Sequence, residues 1–268
     1  MEKLSIYGGT GFVGSNYVKK FPDNQVMGRN EYVPYTEDIL YFISTVDNYN
    51  IFTDPHVDIN TNLNVLISVL EECRKKKIKG VFNFISSWFV YGKSGFFIDE
   101  ETVCEPKGFY SITKRTAEQL LISYCETFKM KYRILRLANV VGKDDKKVSP
   151  KKNVLQFLIE KLKKDEPIEL QDRGDFFREY IHVKDCVDAI NLVVNDKEYN
   201  QIYNISCDHA LPLKRVIEIA HTKLNSKSRI TYTYNNKVQS IGLTNHKIKK
   251  LGFVPKYNIE KIVEDLIT

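Results

Sequence analysis

Residues 3–14 read KLSIYGGTGFVG, and this stretch narrows the possible folds more than any other. Leu4 and Ile6 alternate with polar neighbours, which is the pattern of a strand. Gly8, Gly11 and Gly14 follow at three-residue intervals, and Gly9 completes a second glycine pattern with Gly11 and Gly14. Phe12, Val13 and Tyr17 then open an apolar-periodic helix. Strand, tight turn and helix in this order form a nucleotide cradle. The first glycine permits the sharp turn, the middle one lets backbone approach a pyrophosphate, and the last lets helix and strand pack closely. Free N–H groups and the positive end of the helix dipole then face the phosphate. Gly8, Gly11, Phe12, Val13 and Gly14 are the first candidate cofactor-binding residues.

The second strand should end where an acidic residue would hold the ribose of NAD. Here NQVMGRN ends instead in Gly28, Arg29 and Asn30. Arginine suits a 2′-phosphate, so Arg29 and Asn30 favour NADP over NAD, with nearby Glu31 keeping NAD open. The next strand, DILYFIS at 38–44, starts about eight residues after Asn30. A parallel crossover through a helix needs a dozen or more. Eight extended residues reach roughly 26 Å, enough to run back down the sheet. Glu31 to Asp38 is expected to do this, with Tyr32–Val33 at most a short edge strand. Pro34 suits an edge. Ser44, closing DILYFIS, joins the cofactor-binding set.

Composition excludes several classes. No run approaches the roughly 18 apolar residues of a membrane span, and MEKLSIYGG lacks a signal-peptide layout. A cytoplasmic protein is expected. The five cysteines have no CxxC spacing and the five histidines no HxxxH pair, so disulfides and a metal site have no support. Net charge is +6, with lysine clusters at 75–77, 143–152 and 161–164. These read as solvated faces, and no nucleic-acid module is present.

In the middle of the chain, KGVFNFISSWFVYG at 79–92 reads as a buried strand with Ser86 and Ser87 at its C-terminal end. Ligands of open parallel sheets lie at that edge. Ser86 would point to the face opposite Ser87. GFYSITKRTAEQLL at 108–121 places Tyr110 and Lys114 on one helix face. That spacing alone is commonplace. Together with GGTGFVG and SSxxxYG, in this order, it resembles the extended short-chain dehydrogenase/reductase family of nucleotide-sugar enzymes. RILRLANVVG, DFFREYIHVKD, YNIS and LGFVPKYNIEK resemble later segments of that family, so the likeness spans nearly the whole chain.

The resemblance implies an α/β fold: a doubly wound, Rossmann-like parallel sheet with a small interleaved C-terminal substrate lobe. A dinucleotide-binding domain would cover 1–145. Residues 146–268 would form most of the lobe, with a strand near 202–206 returning to the main sheet. It implies Tyr110 as general acid/base, with Lys114 beside it supplying positive charge and holding the cofactor ribose, and Ser87 orienting the reacting oxygen. The family's 4,6-dehydratases carry an acidic pair after that serine. Trp88 and Phe89 stand here, and neither moves a proton, so dehydration is disfavoured. What remains is hydride exchange at one sugar carbon, C4, by an epimerase or 4-ketoreductase using NADP or NAD. An alternative is a catalytically idle NADP-binding protein that recognises a partner. Asn139, Asn153 and Arg178 match family contacts to a nucleotide-diphosphate sugar, Asn153 reading equally as a helix N-cap, and Trp88 is expected either to wall the pocket or to pack in the core. A second family arginine is missing, with only Lys237 nearby. Glu118 reads equally as an ordinary helix ion pair, and His182 as a structural hydrogen-bonder. A homodimer through helices near 60–77 and 109–128 is also implied.

Overall fold

A computed structural model describes residues 3–45, 49–92, 95–145, 152–234 and 240–268. Lys237 lies outside them. In chain order the first half contains β1 (Leu4–Tyr7), α1 (Phe12–Lys20), β2 (Gln25–Val26), β3 (Asp38–Tyr41), α2 (His56–Ile59), α3 (Val65–Lys75), β4 (Val81–Ser87), β5 (Gly95–Ile98), α4 (Phe109–Phe128) and β6 (Lys131–Leu137). A wide π-type turn, Asn60–Asn64, joins α2 to α3. The second half contains β7 (Asn139–Val141), α5 (Val154–Lys163), β8 (Ile168–Leu170), β9 (Phe177–His182), α6 (Val183–Val194), β10 (Gln201–Ile205), β11 (Ala210–Pro212), α7 (Leu213–Leu224), β12 (Ile230–Tyr232), β13 (Ile241–Leu243), α8 (His246–Lys250) and α9 (Ile259–Ile267).

Six parallel strands form the main sheet in the order β10-β6-β4-β3-β1-β2. Strand alternation gives it two apolar faces. Leu4, Ile6, Leu40 and Leu135 pack on one side with Tyr17 of α1 and Ile190 of α6. Tyr7, Tyr41, Phe82 and Phe84 pack on the other with Leu70 of α3 and Leu121 of α4. Helices on both faces of a parallel sheet define the doubly wound, Rossmann-like class. β10 belongs to this sheet, beside β6. A third core unites α5, α7 and α9 through Leu158, Leu162, Val216, Ile217 and Val263.

Because β2 and β3 flank β1 on opposite sides, their link must cross β1. Residues 27–37 do so without a helix. Ser5 explains how: its Oγ accepts from the N–H groups of Tyr35 at 2.9 Å and Thr36 at 3.0 Å. The Tyr7 hydroxyl donates to the Tyr32 carbonyl at 2.7 Å. Buried backbone groups of the link thus find partners on the strand that it crosses. No strand forms at Tyr32–Val33. Those residues spend their backbone on this crossing rather than on an edge ladder.

Candidate active site

The glycine turn is built for close approach. Gly8 has φ +77°, a left-handed conformation that favours glycine. A Cβ on Gly14 would stand 2.4 Å from the Gly8 carbonyl oxygen, so only glycine lets α1 start this near β1. Above Gly11 the nearest atom to such a Cβ is 3.5 Å away, leaving the turn open. No side chain caps α1, and its first turn holds no acid. The uncapped N–H groups and helix dipole suit an anionic pyrophosphate, and Phe12 and Val13 form the first residues of that helix. At the tip of β2, Arg29 and Asn30 are exposed. The Glu31 carboxylate folds back to accept the Gly28 N–H at 2.8 Å.

Beside the turn, the C-terminal ends of β3, β4 and β6 open into a cavity of about 200 Å³. Its lining includes Ser44, Ser87, Trp88, Tyr110, Lys114 and Asn139. Lys152 and Asn153 close one side, and the Lys152 ammonium sits 5.7 Å from the Phe12 ring. The seven-residue ladder of β4 on β6 brings Ser87 opposite Leu137, while α4 begins at Phe109 and carries Tyr110 and Lys114 one turn apart.

The Tyr110 phenol shares this cavity with the hydroxyls of Ser44 and Ser87. Burial raises its pKa, the two serine hydroxyls oppose the rise, and the charge of Asp58 adds to it. Lys114 is buried, with its Nζ donating to the Ile85 carbonyl at 2.8 Å and lying 4.2 Å from the centre of the Phe84 ring. Burial pulls its pKa down to about 7, with Glu118 partly opposing. Ser87 Oγ accepts from Phe89 N at 3.4 Å, which leaves its proton free for the phenol. Phenol, ammonium and hydroxyl therefore converge on one cavity, the grouping that accompanies proton transfer at a carbinol or carbonyl carbon.

The neighbouring residues are already tied to one another. Trp88 Nε1 donates to Asn139 Oδ1 at 3.2 Å, and Asn139 Nδ2 donates to the Glu179 carbonyl at 2.9 Å. Arg178 does not line the cavity. Its guanidinium lies 5.5 Å from the Trp88 ring centre and 4.8 Å from that of Phe176, and donates to the Phe177 carbonyl at 2.9 Å. Burial lowers its pKa, with Tyr180 acting the other way. Asn153 caps α5, accepting from Gln156 N at 3.4 Å. His182 stacks on Tyr257 at 3.8 Å and pairs with Asp265 at 3.1 Å, a structural placement.

Glu118 departs from the reading as a simple helix pair. It bonds Arg115 at 2.8 Å, but its main partner is Arg136 of β6, held bidentately at 3.0 and 2.8 Å. Ser86 Oγ also donates to it, at 2.6 Å. A carboxylate at 0 % exposure needs such a set. Burial works to raise its pKa, but Arg136, Ser86 and Arg115 together bring it below the usual carboxylate range. The bond fixes α4 to the sheet directly behind Lys114.

A second buried polar group escaped the sequence. Asn62, in the wide turn, donates to Thr45 Oγ1 and Thr113 Oγ1, both at 3.1 Å, and accepts from Thr45 N at 3.0 Å. Thr45 in turn donates to Asp58. The sequence there, DINTN, reads as a solvated polar stretch and gives no signal of burial.

Fold and cavity together define a doubly wound, Rossmann-like α/β protein whose cavity gathers a tyrosine, a lysine and a serine near a glycine turn. Residues 40–206 match the model of the NAD dependent epimerase/dehydratase family, and the chain belongs to that family. Among relatives, a putative UDP-glucose 4-epimerase of Methanocaldococcus jannaschii is 23% identical, over 98% of this chain and 97% of its own. A crystal structure of UDP-glucose 4-epimerase with UDP-glucose, from Thermotoga maritima, superposes with a TM-score of 0.86 at 23% identity, covering 99% of this chain and 97% of that one. RMD from Pseudomonas aeruginosa, complexed with NADPH, gives 0.87 at 18% identity, covering 100% and 98%. No helix among the described residues is long and apolar enough to cross a membrane.

Proposed function

We propose that this protein is an NAD(P)-dependent enzyme that exchanges a hydride at C4 of a nucleotide-diphosphate sugar, with Tyr110 as general acid/base. The observation that carries this is the convergence of Ser87, Tyr110 and Lys114 on one cavity next to an uncapped glycine turn. When bound, the nicotinamide supplies or accepts the hydride. The chain's own residues handle the proton. Ser87 holds the sugar oxygen, Tyr110 gives it a proton in reduction or takes one in oxidation, and Lys114 offsets the phenolate that remains. Trp88 and Phe89, stacked at 4.1 Å, wall the sugar and bring no second acid or base, which speaks against 4,6-dehydration. Asn139, Asn153 and Arg178 would meet the nucleotide diphosphate, the last two after releasing their present bonds.

Both an epimerase and a reductase fit this site. The full-length relative named as an epimerase supports the first. Exposed Arg29, which suits the 2′-phosphate of NADPH, supports the second. We take 4-ketoreduction as the leading reaction. Exposed Arg29 favours NADPH, while Ser44 reaches the same cleft beside the phenol. A cytoplasmic homodimer completes the reading, with half-exposed Ile67, Ile112, Leu120 and Phe128 of α3 and α4 at the contact. The test mixes purified protein with NADPH and a nucleotide 4-keto-sugar and follows absorbance at the nicotinamide band. Stoichiometric loss of NADPH supports reduction. Interconversion of C4 epimers without net loss would support the epimerase instead, and neither would end the proposal. Multi-angle light scattering decides the dimer.

A further inference from the structure

Four side chains run in file from β9 to the phenol. The Arg178 guanidinium lies over the Trp88 ring, 5.5 Å from its centre, within the range at which a cation is drawn to an aromatic face. Trp88 and Phe89 stack at 4.1 Å with 23° between their planes. Phe89 meets the Tyr110 ring at 6.0 Å and 88°, an edge-to-face contact. Trp88 and Phe89 belong to one short helical turn, Trp88–Val90, directly after β4. The Phe89 N–H donates to Ser87 Oγ at 3.4 Å, so this turn touches both Ser87 and Tyr110. The indole is pinned at its edge, where Nε1 donates to Asn139 Oδ1 at 3.2 Å, and loaded on its face by Arg178.

We propose that Trp88 and Phe89 are positioning residues that relay the arrival of the substrate's diphosphate at Arg178 to the Tyr110 ring. The proposal rests on the reading of Arg178 as a diphosphate contact and of Tyr110 as the general acid/base. A guanidinium that grips a diphosphate bidentately turns its plane toward the phosphate oxygens, and it leaves the indole face when it does. With its edge still tied to Asn139, the indole resettles against the sugar and takes Phe89 with it. Two stacked rings move together because sliding them apart forfeits their contact. The ring edge against Tyr110 and the N–H on Ser87 then shift as one unit. Part of the affinity for the nucleotide end of the substrate is thereby expressed in the rate at the sugar end. Neither ring exchanges a proton, so their part is geometric.

A double-mutant cycle on reduction of a nucleotide 4-keto-sugar by NADPH tests the relay. Phe89→Leu keeps an apolar side chain but removes the ring edge, and should lower the saturated rate about three- to tenfold, the size of one aromatic pair. Arg178→Gln should lower that rate as well as raise KM, whereas a plain anchor would raise KM alone. Because both losses lie on one path, the double variant should turn over no slower than the worse single one. Losses that multiply, or saturated rates equal to wild type, overturn the proposal. A second measurement needs no turnover. Trp88 is the chain's one tryptophan, so indole emission reports on this ring alone. UDP, dTDP and GDP are titrated in turn, with calorimetry measuring their binding. Emission that changes along the binding isotherm in wild type, and changes less in Arg178→Gln at matched occupancy, supports the proposal. Binding with unmoved emission overturns it. If none of the three binds, the diphosphate reading of Arg178 falls and the relay falls with it. If no keto-sugar turns over, the assigned reaction falls separately and the emission decides the relay.

Discussion

Replacing Lys114 by methionine should separate stability from catalysis in a way that depends on pH. Lys114 is 1 % exposed and its pKa falls from 10.5 to about 7. The folded value is the lower one, so between these limits the unfolded chain binds more protons and stability rises with pH. At pH 7 this single group costs the fold roughly 4 kcal/mol, and at pH 9 about 2 kcal/mol. Methionine fills nearly the same volume without the charge. The lost bond to the Ile85 carbonyl, at 2.8 Å, returns about 1.5–3 kcal/mol of that gain, with little dependence on pH. Lys114→Met should therefore match or exceed wild-type stability at pH 7. Its advantage should shrink by about 2 kcal/mol by pH 9. Urea unfolding at both pH values measures this directly. A stability difference that stays constant between pH 7 and 9 would refute the reasoning, because the lysine would then carry no buried-charge cost.

Other variants probe the supports of the site. Arg136→Met leaves the Glu118 carboxylate buried without its bidentate partner, and should cost about 3–5 kcal/mol. Glu118 is held below the usual carboxylate range in the wild type, so thermal melts should show this gap present above about pH 4.5 and closing under acid, as Glu118 takes up a proton. Gly14→Ala drives a Cβ to 2.4 Å from the Gly8 carbonyl. Fluorescence titration should show NADPH binding weakened at least about tenfold, equal to roughly 1–3 kcal/mol of overpacking. Trp88→Ala removes both the cavity wall and the anchor of Asn139. It should raise KM for the sugar nucleotide about tenfold or more, with NADPH affinity unchanged.

Legibility from sequence followed the range over which each device acts. The glycine turn is local, so its spacing exposed it, while the Tyr110–Lys114 helix face stood out only in company with the other ordered motifs. The short link between β2 and β3 could be anticipated from chain reach, yet the role of Ser5 in holding it required knowing which strand it crosses. Glu118 looked like a helix pair because Lys114 is four residues before it. Its stronger partner, Arg136, comes from β6, and only the fold brings the two together. Asp58, Asn62 and Thr45 stayed hidden for the same reason. Polar residues in a helix read as solvated, and nothing in DINTN tells that this turn faces the interior. Arg178 matched a motif in the sequence, and the fold adds what no spacing shows, its guanidinium lying 5.5 Å from the centre of the Trp88 ring.

The most direct measurement is single-turnover transfer from NADPH to a nucleotide 4-keto-sugar by wild type and Tyr110→Phe, with cofactor binding checked in parallel. Loss of the phenolic proton should slow transfer by roughly 10²–10⁴-fold while NADPH affinity stays the same. Transfer at the wild-type rate by a folded, cofactor-loaded Tyr110→Phe protein would contradict the account.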